Sequence, residues 1–261
     1  RVGLGLSVPF GRYRLIARLG GGGMAEVYLA RQSGLGGFSR SVAIKLIQPE
    51  MFDIVDASAM FLDEARIAAE INHHNVVKIY DVGEEKGVLY LAMEHLRGIT
   101  LSHMSAQLVQ RGERMPPDLV ASLLSQACAG LHAAHTLRDP AGRALNVVHR
   151  DVSPSNLMVT RSGHVKVIDF GIAKAMNQDL TDSTVFTEFR QFIGTPEYMS
   201  PEQAEDKVLD ARSDIYALGV ILYRMVVGRV PFQSKAFMTV LAKHIQEKPM
   251  PPREAAPESG I

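Results

Sequence analysis

His149-Arg150-Asp151-Val152-Ser153-Pro154-Ser155-Asn156 and, after one further hairpin, Asp169-Phe170-Gly171 are the stretches that decide how this chain folds. An aspartate and an amide five residues apart sit in a Pro-containing loop. Two short apolar runs follow, Asn156 to Thr160 and Val165 to Ile168, joined by the turn Arg161-Ser162-Gly163-His164, and a second carboxylate lies just past them. The order loop, strand, turn, strand, loop places three oxygen donors near one point. Hard Mg²⁺ takes a few such oxygens together with phosphates and waters. Turn or capping roles would account for Asp151 and Asn156 singly, but not for the Asp-Phe-Gly at that remove.

Upstream, residues 13–47 read as strands. Tyr13 to Leu19, Ala25 to Gln32 and Ser41 to Ile47 carry β-branched and aromatic residues between glycine-rich turns. A helix is expected over about 56–71, and strands over Val76 to Val82 and Val88 to Glu94, which makes five strands and one helix in an antiparallel α+β unit. The run Leu19-Gly20-Gly21-Gly22-Gly23-Met24-Ala25 is weak evidence alone, because any hairpin turn can hold glycines. A dinucleotide-binding unit would open a helix there, whereas Glu26-Val27-Tyr28-Leu29 continues as strand, and no Gly-Lys-Ser/Thr phosphate loop exists in the chain. A glycine loop between antiparallel strands can instead lower its N–H groups onto phosphates. Val42-Ala43-Ile44-Lys45 then closes an apolar strand on a lysine that Glu64, on the following helix, could hold in place.

From about residue 99 the pattern turns helical. Val120, Leu123, Leu124, Ala127, Cys128 and Leu131 recur at helical steps between Asp118 and His135, so the single cysteine is expected to pack. Asp214 to Val227 is apolar almost all round and predicts a helix buried on every side. With 28 Lys+Arg against 28 Asp+Glu the formal charge is zero, which argues against a nucleic-acid partner. At 46% hydrophobic and 21% charged residues the composition is core-forming, not disordered. One cysteine cannot form an intramolecular disulfide, and no apolar run approaches the roughly 20 residues that span a bilayer, so no membrane contact is expected within this segment. The Pro-rich end and the opening at Arg1 suggest a segment of a longer protein.

Taken in order, these motifs resemble the eukaryotic-type (Hanks) protein kinases, specifically the bacterial serine/threonine kinases. The resemblance runs from about Tyr13 to about His244. It implies the bilobal kinase fold, α+β, with an antiparallel N-lobe at 13–96, a mainly α C-lobe at 97–248 lacking its last helices, and flanking segments at 1–12 and 249–261. It implies ATP with Mg²⁺ or Mn²⁺ and transfer of the γ-phosphoryl group to Ser/Thr hydroxyls of proteins. By the same resemblance Asp151 matches the catalytic base, Asn156 and Asp169 the metal ligands, Lys45 the strand lysine and Glu64 its partner. Gly20, Gly22 and Val27 match the glycine loop, with Leu19, Gly23 and Ile168 completing the nucleotide-contacting set. Met93, Glu94 and Leu96 match the gatekeeper and hinge, and Ala43, Met158 and Val27 the apolar sandwich around adenine. Thr195 matches the residue that bonds the catalytic aspartate, Ser200-Pro201-Glu202 the end of the activation segment, and Asp214 the aspartate opening the buried helix. Arg150 marks a kinase switched on by loop phosphorylation, for which Thr187 and then Thr184 are the candidate sites.

Three departures stand out. Ala25 replaces the third loop glycine, Ser153 stands where a lysine usually contacts the γ-phosphate, and the arginine that pairs with Glu202 in the family is absent, so Glu202 is expected to lack its partner. Two other functions compete. A pseudokinase, an ATP-binding scaffold, is suggested by Ser153, while a small-molecule phosphotransferase is opposed by the full activation segment. The resemblance further implies protein substrates, possible action on a second copy in trans through a homodimer, and a cytoplasmic domain, with membrane attachment of the full-length protein left open.

Overall fold

The computed structural model describes residues 7–21, 25–47, 57–170 and 195–257, in two units. In the first, comprising residues 7–72 and 77–97, period-two alternation produces six antiparallel strands. They are β1 (Val8–Phe10), β2 (Tyr13–Gly21), β3 (Ala25–Ser33), β4 (Ser39–Ile47), β5 (Ile79–Glu85) and β6 (Val88–Glu94), in the order β1-β2-β3-β4-β6-β5. The sequence led us to expect five; the sixth, β1, pairs Val8 with Leu15 and Phe10 with Tyr13. One sheet face carries the cluster Tyr13, Ala30, Val42, Ile44 and Ala92, against which Phe10, Leu15, Leu46 and Tyr90 pack. On the same face Asp81 collects Tyr13 Oη at 2.9 Å, Tyr90 Oη at 2.8 Å and the Arg12 guanidinium at 2.5 Å. Burial pushes the Asp81 carboxyl upward, but these three donors outweigh it and hold it below the usual carboxylate range. Helix α1 (Ala57–Ala69) packs on β5 and buries Phe61, Ala65 and Ala68.

The second unit comprises residues 73–76, 98–170 and 195–257. A small sheet, β7 (Gly98–Thr100), β8 (Leu157–Thr160) and β9 (Val165–Val167), is antiparallel throughout. The segment at 73–76 docks against β9: Val76 bridges Val167, and the buried Asn75 donates through Nδ2 to the Val165 carbonyl at 2.8 Å. Helices α2 (Leu101–Gln110) and α3 (Pro117–His135) follow β7; the sheet is then succeeded by α4 (Pro201–Ala204), α5 (Ala211–Val227), α6 (Phe237–Gln246) and α7 (Pro252–Ala255). Thr100 caps α2 by accepting from His103 N–H, and Gly228, with φ 88°, ends α5 in the left-handed conformation. Ala256 is buried against Tyr223 and Val227.

Two packing expectations are corrected. Helix α5 is not buried on every side: Ile215 and Leu222 are 51% and 43% exposed, because the described residues cover only part of its circumference. Cys128 is exposed, since the buried stripe of α3 runs through Val120, Leu123, Leu124, Ala127 and Leu131, and one residue past Ala127 turns the thiol off it.

Between α3 and the loop that begins at His149 lies a hairpin with bonds of its own. Asp139 accepts from Arg143 N–H at 2.9 Å and from Arg143 Nε at 2.7 Å, Leu145 N–H donates to the Leu137 carbonyl at 3.0 Å, and Arg138 donates to the Gly142 carbonyl at 2.8 Å.

Candidate active site

In the second unit the site is built around one buried carboxylate. Asp214, in the first turn of α5 and 1% exposed, accepts the N–H of His149 at 2.8 Å through Oδ2 and the N–H of Arg150 at 3.0 Å through Oδ1, while His135 Nε2 lies 2.7 Å from Oδ2. A charged acceptor for two backbone donors fixes the loop strongly. His149 is fully buried: its Nδ1 accepts from Asp151 N–H at 3.3 Å, so Nε2 carries the proton toward the Ile168 carbonyl at 3.0 Å. That bond, with Ile168 N–H to the Asn156 carbonyl at 2.9 Å, ties the loop to the strand leading into Asp169.

Asp151 and Asn156 come together as expected. Asn156 Nδ2 donates to the Asp151 carbonyl at 2.8 Å and to its carboxylate at 3.0 Å, which turns the amide oxygen away from Asp151. Asp169 adopts φ 54°, a costly left-handed conformation for a non-glycine residue, and Phe170 beside it packs on His149 with ring centroids 4.6 Å apart. Thr195 lines the same small pocket as Asp151, with Arg150, Met199 and Gln203. Ser153 is 4% exposed, so its hydroxyl is folded inward. Met158 sits on β8 opposite Thr100 and Lys166.

The expectation of a partnerless Glu202 is also corrected. The Ser213 hydroxyl donates to Glu202 at 2.5 Å, a neutral donor in place of a guanidinium. Burial raises the Glu202 carboxyl, yet this bond and those from its own backbone and Ser200 bring it below its ordinary value.

In the first unit the register places Gly20, Val27, Lys45 and Leu91 in one row across β2, β3, β4 and β6, with Leu29, Ala43 and Met93 in the neighbouring row. Alternation puts both rows on the sheet face opposite the Tyr13 cluster. A Cβ at Gly20 would meet nothing within 4 Å, so its hydrogen leaves the approach to this face open. Leu19 falls at an irregularity between Arg18 and Gly20 and is half exposed. Glu94 N–H is spent on the Lys78 carbonyl at 2.8 Å, and Leu96 lies two residues beyond the end of β6. Glu64 is on α1, with its side chain outside the described ones, and Gly22, Gly23, Thr184 and Thr187 lie outside the described residues.

Oxygen donors of the amide and carboxylate type suit Mg²⁺. Among the described residues no three His, Cys, Asp or Glu side chains converge, so a cation held by Asn156 and Asp169 would complete its shell from phosphate oxygens and water. Sequence reasoning missed Gln203, whose amide bonds the Arg150 carbonyl; the Ser200-x-x-Gln203 capping box was the available signal.

A six-stranded antiparallel unit with one helix, and a mainly helical unit carrying the loop just described, define the bilobal fold of protein kinases. The chain belongs to the protein kinase domain family, whose sequence profile matches residues 13–258. It is 42% identical over 250 residues to the tyrosine-protein kinase MasK of Myxococcus xanthus, covering 96% of this chain and 38% of that protein. It is 38% identical over 247 residues to the serine/threonine-protein kinase PknB of Mycobacterium leprae, covering 93% and 37%. A crystal structure of a variant PknI kinase domain from Mycobacterium tuberculosis superposes with TM-score 0.70 at 25% identity, covering 98% of this chain and 85% of that one. The chain therefore spans less than two fifths of the length of these two curated relatives.

Proposed function

We propose that this chain is an active kinase domain that transfers the γ-phosphoryl group of ATP to serine and threonine hydroxyls of proteins. The observation that carries this reading is the Asp151 carboxylate, held by Asn156 in a loop whose backbone is anchored on buried Asp214. A loose transition state needs positioning and charge neutralisation more than covalent chemistry. Asp151 orients the incoming hydroxyl and accepts its proton, Thr195 steadies that carboxylate, and Lys45, fixed by Glu64, takes the α- and β-phosphates. Leu19, Gly20, Gly22, Gly23, Val27, Ala43, Met93, Glu94, Leu96, Met158 and Ile168 contact the nucleotide. Asn156 and Asp169 would hold Mg²⁺, which would supply neutralisation of the phosphate charge. An inward Ser153 leaves the site one cation short, forgoing a charged hydrogen bond of roughly 1.5–3 kcal/mol, so transfer is slower than with lysine by about ten- to a hundredfold. Thr187 and Thr184 are the self-phosphorylated residues, modified in trans, and the domain works in the cytoplasm.

A second reading, tyrosine phosphorylation, is favoured by the name of the Myxococcus relative. The deciding experiment incubates the purified chain with labelled Mg-ATP and a basic protein, beside Asp151→Asn, and identifies the phosphorylated amino acids. Label on Ser or Thr that disappears in the variant supports the proposal, and label on Tyr moves the weight to the second reading. ATP binding without any label would make the chain a scaffold.

A further inference from the structure

The peptide of Arg150 is gripped at both ends. Its N–H donates to Asp214 and its carbonyl accepts from Gln203 Nε2 at 2.8 Å. Between the two grips Arg150 has φ 64°, a left-handed conformation that a non-glycine residue keeps only when its surroundings impose it. The next residue is Asp151, so any rotation of this peptide swings the carboxylate.

Gln203 is itself held in one orientation. Its Oε1 accepts Ser200 N–H at 3.1 Å while its own N–H donates to Ser200 Oγ at 3.3 Å, the reciprocal bonds of a capping box. A flipped amide would set its NH₂ against the Ser200 N–H and its oxygen against the Arg150 carbonyl, two repulsions for two bonds. Ser200 is fully buried, which anchors the far end. The side chain thus links the end of the activation segment to the residue before the catalytic aspartate.

We propose that Gln203 is a positioning residue for phosphoryl transfer, fixing the Arg150 carbonyl and through it the aim of Asp151. This rests on the reading of Asp151 as the base. Glutamate at 203 can still accept from Ser200 N–H, so the capping box survives, but an ionised carboxylate has no proton for the Arg150 carbonyl and repels it. Gln203→Glu therefore separates positioning from helix capping.

The test measures steady-state kinetics with Mg-ATP and a basic protein, thermal midpoints, and hydrogen exchange of the peptide covering 149–156, for the unaltered chain, Gln203→Glu and the similarly sized Gln203→Met. Expected for both variants is a kcat lower by roughly ten- to a hundredfold, the scale of a small misplacement of a reacting group. The KM for ATP should change by less than about twofold, and exchange across 149–156 should accelerate. Unchanged kcat with unchanged exchange would leave Gln203 a helix cap and nothing more, and a rise in KM at constant kcat would overturn the proposal equally. Should the unaltered chain transfer no phosphate, the kinase reading fails by itself. Loop exchange still decides the clamp: faster in the variants supports it, equal refutes it.

Discussion

Asp214 shows how much a single side chain can organise: one carboxylate holds two consecutive backbone N–H groups and a histidine, and the course of the loop from His149 follows from that. The motif His149 to Asn156 was readable because its residue types are chemically particular. That Asp214 would anchor the loop's backbone was not, since periodicity reports which face of a helix is apolar and says nothing of which distant N–H a polar residue meets. His244 is a second case. It is 4% exposed, with Tyr216 Oη 2.7 Å from Nδ1 and the Phe232 ring 4.9 Å away. Burial lowers its pKa, only partly opposed by the Glu197 backbone. The unfolded chain therefore takes up this proton first as pH falls, so stability is full above about 6.5 and declines below it toward the depressed folded value. The urea midpoint should drop between pH 7.5 and 5.5, and His244→Gln should flatten that drop. His73 and His95 are lowered in the same direction, so some slope should remain. An equal slope in the variant would clear His244 of the effect.

Elements differ in how plainly the sequence announces them. The helices α3 and α5 were legible because their apolar residues recur over four or more turns. Strand β1 was not: it has three residues, one of them Pro9, and is held by Phe10 lying edge-on to Tyr90 at 5.4 Å, a tertiary contact. Two helical glycines test the distinction between local preference and packing. A Cβ at Gly219 in α5 meets nothing within 4 Å, so Gly219→Ala should stabilise the chain by about 0.5–1 kcal/mol. A Cβ at Gly130 in α3 would lie 2.8 Å from the Asn75 carbonyl oxygen, and Gly130→Ala should cost roughly 1–3 kcal/mol in spite of the same gain in helix preference. Denaturant melts of the pair read the two signs, and like signs would mean that packing at Asn75 does not decide the matter.

At the scale of the whole molecule, the proposed binding of Mg-ATP has a thermal consequence. Ligand that binds only the folded state at a hundred times its Kd adds about 2.7 kcal/mol, which for a chain of this size is a rise in Tm of roughly 5 to 10 °C. Mg-ATP should produce such a rise, and Lys45→Met and Asp169→Asn should each diminish it. A shift of the same size in both variants would remove these residues from the site. The fold class was legible at this scale because every motif agreed in order along the chain. The distribution of exposed surface was not, as Ile215 and Leu222 show, because composition cannot tell which apolar face finds a neighbour.

The hairpin between Leu137 and Leu145 closes its hydrogen bonds upon itself, Asp139 with Arg143 and Arg138 with the Gly142 carbonyl. A loop that closes these bonds within itself can be exchanged as a cassette. An epitope, a fluorophore attachment point or a small reporter domain grafted between Asp139 and Arg143 would sit only a few residues upstream of His149, turning a surface ornament into a socket for watching the loop from His149 to Asn156 move.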